Sequence, residues 1–81
     1  MESPSYSDAV VSEIRAEMAR QRKNQAELAI VIGVTPPGAS RRMRGDTPLD
    51  VAELKLITDW LGMTVPDLLA RVSNDSAGVS A

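Results

Sequence analysis

Helix-capping residues divide the sequence into short segments, and this division is the feature that most limits its fold. An N-cap residue followed three positions later by an acid occurs at Asn24, Asp50 and Thr64, which is the spacing of a capping box. Glycine suits the left-handed end of a helix. The glycines placed to end the intervening segments are Gly33, Gly45 and Gly62. The pattern favours several short helices over strands or one long helix.

Apolar residues recur within these segments at intervals of three and four, as Val11, Ile14 and Met18 do. This period indicates amphipathic helices. The expected helices span about 7–22, 25–32, 36–44, 51–61 and 65–72. We therefore predict an all-α, compact five-helix bundle. A flexible N-terminus over 1–6 and a disordered, small and polar tail over 73–81 flank one domain at 7–72.

Composition excludes several classes of function. The 81 residues suffice for one small domain, and a hydrophobic content of 43% is that of a globular chain. Cysteine and histidine are both absent, which removes thiolate, imidazole and the usual zinc chemistry. We expect no enzyme, no catalytic residue, no metal, no cofactor and no small-molecule substrate. No apolar run approaches the roughly 20 residues of a membrane span, so a cytoplasmic protein is expected.

Charge is distributed unevenly along the chain. Residues 15–44 hold seven of the nine basic residues and two of the eleven acidic ones. That segment carries a charge of +5, and the remainder of the chain carries −7. Such asymmetry predicts one basic face on an acidic body. A charge-mixed, merely solvated surface is the alternative on charge alone.

The basic segment contains two short helices joined by a turn with Gly33 and Val34. Helices joined in this way form a helix-turn-helix, whose second helix enters the DNA major groove. The stretch "NQAELAIVIGVTPPGASRRMRG" resembles the phage repressor and Cro-like (XRE-type) DNA-binding family. The following "SRRMRGDTPLDVAEL" is similar to small regulators of actinobacterial and mycobacteriophage type. The resemblance covers about residues 8–72. It implies a repressor-like bundle and a bacterial or phage regulator of transcription that occupies a double-stranded operator and is nucleoid-associated when bound.

The recognition helix, expected at about 36–44, departs from that family at its start. Pro36 and Pro37 stand where polar side chains usually bond to bases, and proline cannot donate a hydrogen bond. At 100° per residue, Pro37 and Arg41 share an outward face, with Gly38 beside them. Arg42 lies on a flank of the helix. Arg41 is therefore the expected reader of guanine, since arginine bonds O6 and N7 together. The residues expected to contact or border bases are Arg41, Pro37, Gly38 and Ser40.

Further polar residues near the two helices are expected to bind the DNA backbone, since half or more of protein–DNA hydrogen bonds go to phosphate and sugar. They are Gln25, Lys23, Arg42, Arg44 and Thr35. The alternatives are a solvated face for the arginines and an ordinary helix start for Gln25 and Pro37.

Trp60 and Leu56 lie one turn apart on the fourth helix. Partial burial of Trp60 in the core is one interpretation, and a dimer contact is the other, since aromatic residues are favoured at interfaces. A homodimer would then use this surface or form only on DNA. The pair also motivates an alternative function, an antitoxin-like or adaptor module that binds protein and contacts DNA secondarily.

Overall fold

The computed structural model describes the backbone of residues 6–80 and the side chains of residues 6–72. The helices are α1 (Tyr6–Arg20), α2 (Gln25–Ile32), α3 (Pro36–Met43), α4 (Val51–Leu61) and α5 (Val65–Ser80). No strand occurs between residues 6 and 80. The predicted all-α, five-helix fold is confirmed. No described helix has the length and apolar content needed to cross a membrane.

The two predicted boundary regions fall partly outside the described residues. Of the N-terminus predicted to be flexible, Tyr6 is the first residue of α1, and residues 1–5 lie outside the description. The tail predicted to be disordered includes the end of α5, which is assigned as helix to Ser80. The side chains of 73–80 and all of residue 81 lie outside the description. α1 also ends at Arg20, two residues before the expected end.

The caps form as the sequence predicts. Asn24 and Asp50 each complete a capping box at the start of α2 and α4, and Thr64 accepts a hydrogen bond from the Asp67 N–H at 3.1 Å. Gly33 and Gly62 end those two helices with φ of 70° and 75°. Side chains are strongly disfavoured in that left-handed region. Local sequence therefore sets both ends of α2 and α4.

One core receives fully buried side chains from all five helices. They are Ile14, Leu28, Ala39, Ile57 and Leu68. α2 packs against α3 and α4, whereas α1 packs against α5 and α3. This arrangement fixes α3 on one side of the bundle, with its inner face buried.

Ion pairs around Glu17 join α1 to α5. The Glu17 carboxylate accepts hydrogen bonds from Gln21 at 2.9 Å, Arg71 at 2.6 Å and Arg20 at 2.6 Å. The bond from Gln21, followed by that from Arg71, lowers the pKa of Glu17 from 4.5 to about 2. This carboxylate therefore remains charged and holds the two helices together at neutral pH.

Candidate nucleic-acid interface

The turn before α3 places the two prolines at a helix start. Thr35 is the N-cap, and its hydroxyl accepts a hydrogen bond from the Gly38 N–H at 3.2 Å. Pro36 and Pro37 occupy the first two helical positions, where a backbone N–H has no partner within the helix. The helix therefore begins at Pro36 without losing a hydrogen bond.

The outward face of α3 is exposed and basic. Ala39 and Met43 are buried, as their spacing predicts, and Pro37, Arg41 and Arg44 are exposed on the other side. Within the described part of the chain, Arg41 forms no ion pair or side-chain hydrogen bond. Its guanidinium is available for a ligand without breaking an internal contact.

Arg44, at the end of α3, forms an ion pair that is exposed to solvent. Its Nε lies 3.1 Å from Asp46 Oδ2, and the two side chains are 62% and 61% exposed. Exposed pairs of this kind contribute about 0–1 kcal/mol. A phosphate can therefore replace Asp46 at little cost.

Arg42 differs from the expected phosphate-binding arginine. Its Nε and Nη2 each lie 3.1 Å from a carboxylate oxygen of Glu53 on α4, and its Nη1 donates to Gly38 O at 3.1 Å. The side chains of the pair are only 18% and 13% exposed. The guanidinium is thus already occupied on both sides. Arg42 therefore fastens α3 to α4, and the phosphate contact predicted for it stays a prediction.

Gly38 is also placed differently from the sequence prediction. It is buried, whereas the helical projection put it beside the exposed face. A side-chain carbon there would lie 3.3 Å from Thr35 Oγ1 and 3.4 Å from Val34 Cβ. Gly38 therefore allows the turn to pack closely against α3.

Lys23 contacts the end of α4, and the DNA-backbone contact predicted for it stays a prediction. Its Nζ lies 5.1 Å from the centre of the Trp60 ring and 3.3 Å from the Trp60 carbonyl oxygen, to which it donates. Trp60 is half-buried, which agrees with the interpretation that it packs partly in the core. Leu56 is 45% exposed. A cation over an aromatic face is a stabilising contact. Lys23 therefore anchors the α1–α2 corner on the end of α4.

The remaining predicted residues border α3. Gln25 is exposed at the first position of α2, and Ser40 is half-buried on a flank of α3. The structure brings Thr35, Pro37, Ser40, Arg41 and Arg44 onto or beside one helix. Sequence reasoning missed Glu53 as a partner of this helix, because its cap position at the start of α4 already explained it.

Two hollows lie beside the end of α3, and Arg15 and Met43 line both of them. One hollow also borders Arg44, and the other borders Gln25. The start of α2, the end of α3 and one part of α1 are thus neighbours on this side of the bundle. No local sequence signal indicates this neighbourhood, which results from packing.

The sequence matches no protein-family model and no curated protein. The fold is similar to two crystal structures of the clp gene regulator ClgR from Corynebacterium glutamicum. One has a TM-score of 0.83 and 24% identity, covering 98% of this chain and 84% of that chain. The other has a TM-score of 0.77 and 25% identity, covering 90% of this chain and 95% of that chain. The likeness supports the five-helix architecture with a helix-turn-helix at α2 and α3.

Proposed function

We propose that this protein is a sequence-specific regulator of transcription that binds double-stranded DNA through α3 in the major groove. The observation that carries the proposal is the outward face of α3, where Arg41 is exposed and has no partner among the described residues. A helix braced by a preceding helix and basic on its outer face has the form of a recognition helix. No catalytic step is part of this function.

The contacts divide between bases and backbone. Arg41 reads guanine, with Pro37 against an apolar base edge and Ser40 at the flank. Arg44, Gln25 and Thr35 hold phosphates. Arg42 acts indirectly, because its pair with Glu53 fixes the orientation in which α3 meets the groove.

The likeness to a protein described as a clp gene regulator supports a regulatory role. In the repressor or Cro-like form of this proposal, the protein occupies an operator and controls access of polymerase. If two copies bind a palindromic operator, Leu56 and Trp60 are the surface we assign to their contact, since Leu56 is 45% exposed.

Replacement of Arg41 and of Arg44 by alanine should have different effects on binding. Arg41→Ala should reduce the preference for a selected site over unrelated duplex by between about fivefold and 150-fold, the equivalent of one bidentate base contact. Arg44→Ala should weaken binding to all sequences alike and reduce the slope of log affinity against log salt by roughly 0.9. Fluorescence anisotropy with both duplexes over a salt series measures these quantities.

Lys55→Ala provides a matched control for lost charge, because Lys55 is exposed on α4 and pairs with Asp59. It should leave both affinity and specificity close to those of the wild type. Uniform loss of affinity in both Arg41→Ala and Arg44→Ala would refute the division of roles. A wild-type affinity that does not fall with salt would refute the basic face itself.

A further inference from the structure

α1 exposes a face of small and basic residues. Ser12, Arg15 and Ala19 are exposed, and their intervals of three and four place them along one side of α1. Arg22 is exposed as well, in the turn that follows the helix. Arg22 lies two residues beyond the end of α1. The α1 face, as we call these four residues, carries two arginines separated by a side chain no larger than a methyl group.

The α1 face borders the proposed DNA-binding surface. Arg15 lines both hollows beside Met43 of α3, and Ala19 lines the one that also reaches Gln25 at the start of α2. The other hollow reaches Arg44. A DNA strand lying against the start of α2 and the end of α3 would therefore pass next to the α1 face.

The arginines in and after α1 differ in whether they form ion pairs. Arg20 pairs with Glu17 at 2.6 Å and with Glu13 at 3.9 Å. Arg15 and Arg22, by contrast, form no ion pair with any residue of the described part. Their charge is available to a phosphate without loss of an internal contact.

Arg22 also has an unusual backbone conformation. Its φ is 57°, and it is the sole residue other than glycine with positive φ in the described chain. Its neighbours are fixed on the end of α4, since Gln21 donates to the Leu61 carbonyl at 2.8 Å and Lys23 donates to that of Trp60 at 3.3 Å. Glycine would adopt this conformation without strain. Arg22 stands at the left-handed end of α1, where the Lys23 N–H donates to the Met18 carbonyl at 2.9 Å, and the backbone there favours glycine over arginine.

We propose that Arg15 and Arg22 bind phosphates of the DNA backbone, so that the interface extends from α3 across the α1 face. The proposal rests on DNA binding as the function of the chain. Ser12 and Ala19 leave space for the backbone to approach, and the two guanidinium groups neutralise neighbouring phosphates. Such contacts strengthen binding to every sequence and contribute no base preference.

The test compares Arg15→Ala and Arg22→Gly with Arg20→Ala. The control removes the same charge from the last residue of α1, where the arginine is ion-paired with Glu17 and Glu13. The probes are a random-sequence duplex pool and a selected site, titrated over a salt series. Each of the first two variants should lower affinity about three- to tenfold on both probes and reduce the salt slope by roughly 0.9. Arg20→Ala should remain within about twofold of the wild type. Arg22→Gly should melt at or above the wild-type temperature, because glycine relieves the backbone strain.

If the wild type binds DNA and the affinities of Arg15→Ala and Arg22→Gly both equal that of Arg20→Ala, this inference is overturned. The proposed function would remain intact. A change in only one of the two variants would overturn the continuous contact along the α1 face. A lower melting temperature for Arg22→Gly would contradict the argument from its backbone. Absence of wild-type binding to either probe would overturn the proposed function and this extension together.

Discussion

Leu28→Ala is expected to lower the free energy of unfolding by about 2–5 kcal/mol. Leu28 is completely buried in α2, and α2 packs against both α3 and α4. Removal of its side chain leaves a cavity among helices of a small core. Because domains of this size have about 5–15 kcal/mol of stability in total, a large part of the fold's stability should be lost. Urea denaturation followed by circular dichroism measures the change.

Ile30→Ala is the matched control on the same helix. Ile30 is 81% exposed, so the same kind of truncation removes little buried surface. Its effect should remain within about 0.5 kcal/mol of the wild type. Equal losses for Leu28→Ala and Ile30→Ala would contradict the packing of α2 described above.

Glu53→Ala should lower the free energy of unfolding by about 2–3 kcal/mol, which is less than the 3–5 kcal/mol of a fully buried pair. The change leaves the half-buried guanidinium of Arg42 without its counter-charge. It also removes the acceptor for the Asp50 N–H at 3.2 Å, which is part of the α4 cap. Since the pair orients α3, DNA affinity should fall as well.

A double-mutant cycle separates the ion pair from the cap. Arg42→Ala, Glu53→Ala and the double variant should give a coupling free energy of about 1 kcal/mol or more. The control cycle uses Lys55 and Asp59, whose side chains are 66% and 57% exposed, and should give about 0.3–0.5 kcal/mol. Coupling of Arg42 and Glu53 no larger than in the control would show that Arg42 is not held by α4.

The ends of the helices could be predicted because their signals are local. Asn24 and Asp50 each make their capping bonds within three residues along the chain. Gly33 and Gly62 adopt the positive φ that their positions require. Such contacts depend on neighbouring sequence alone, so the sequence pattern was sufficient to place four boundaries.

The partners of the basic side chains could not be predicted in the same way. Arg42 is paired with Glu53, 11 residues away on another helix, and Lys23 reaches Trp60, 37 residues away. Helical projection shows which side of one helix a residue occupies, but it does not show what the next helix places there. The sequence therefore separated Arg41 from Arg42 by the side of α3 that each occupies, but it did not show that Glu53 already holds Arg42 while Arg41 has no partner among the described residues.

The central claim is that α3 reads DNA sequence, and selection of bound duplexes from a random pool tests it most directly. Wild-type protein should enrich a short motif that contains guanine, and Arg41→Ala should lose the preference for that base while still retaining duplex. The arrangement of the motif, whether single or palindromic, would also show the symmetry of binding. Repeated rounds of selection that enrich no sequence would contradict the claim.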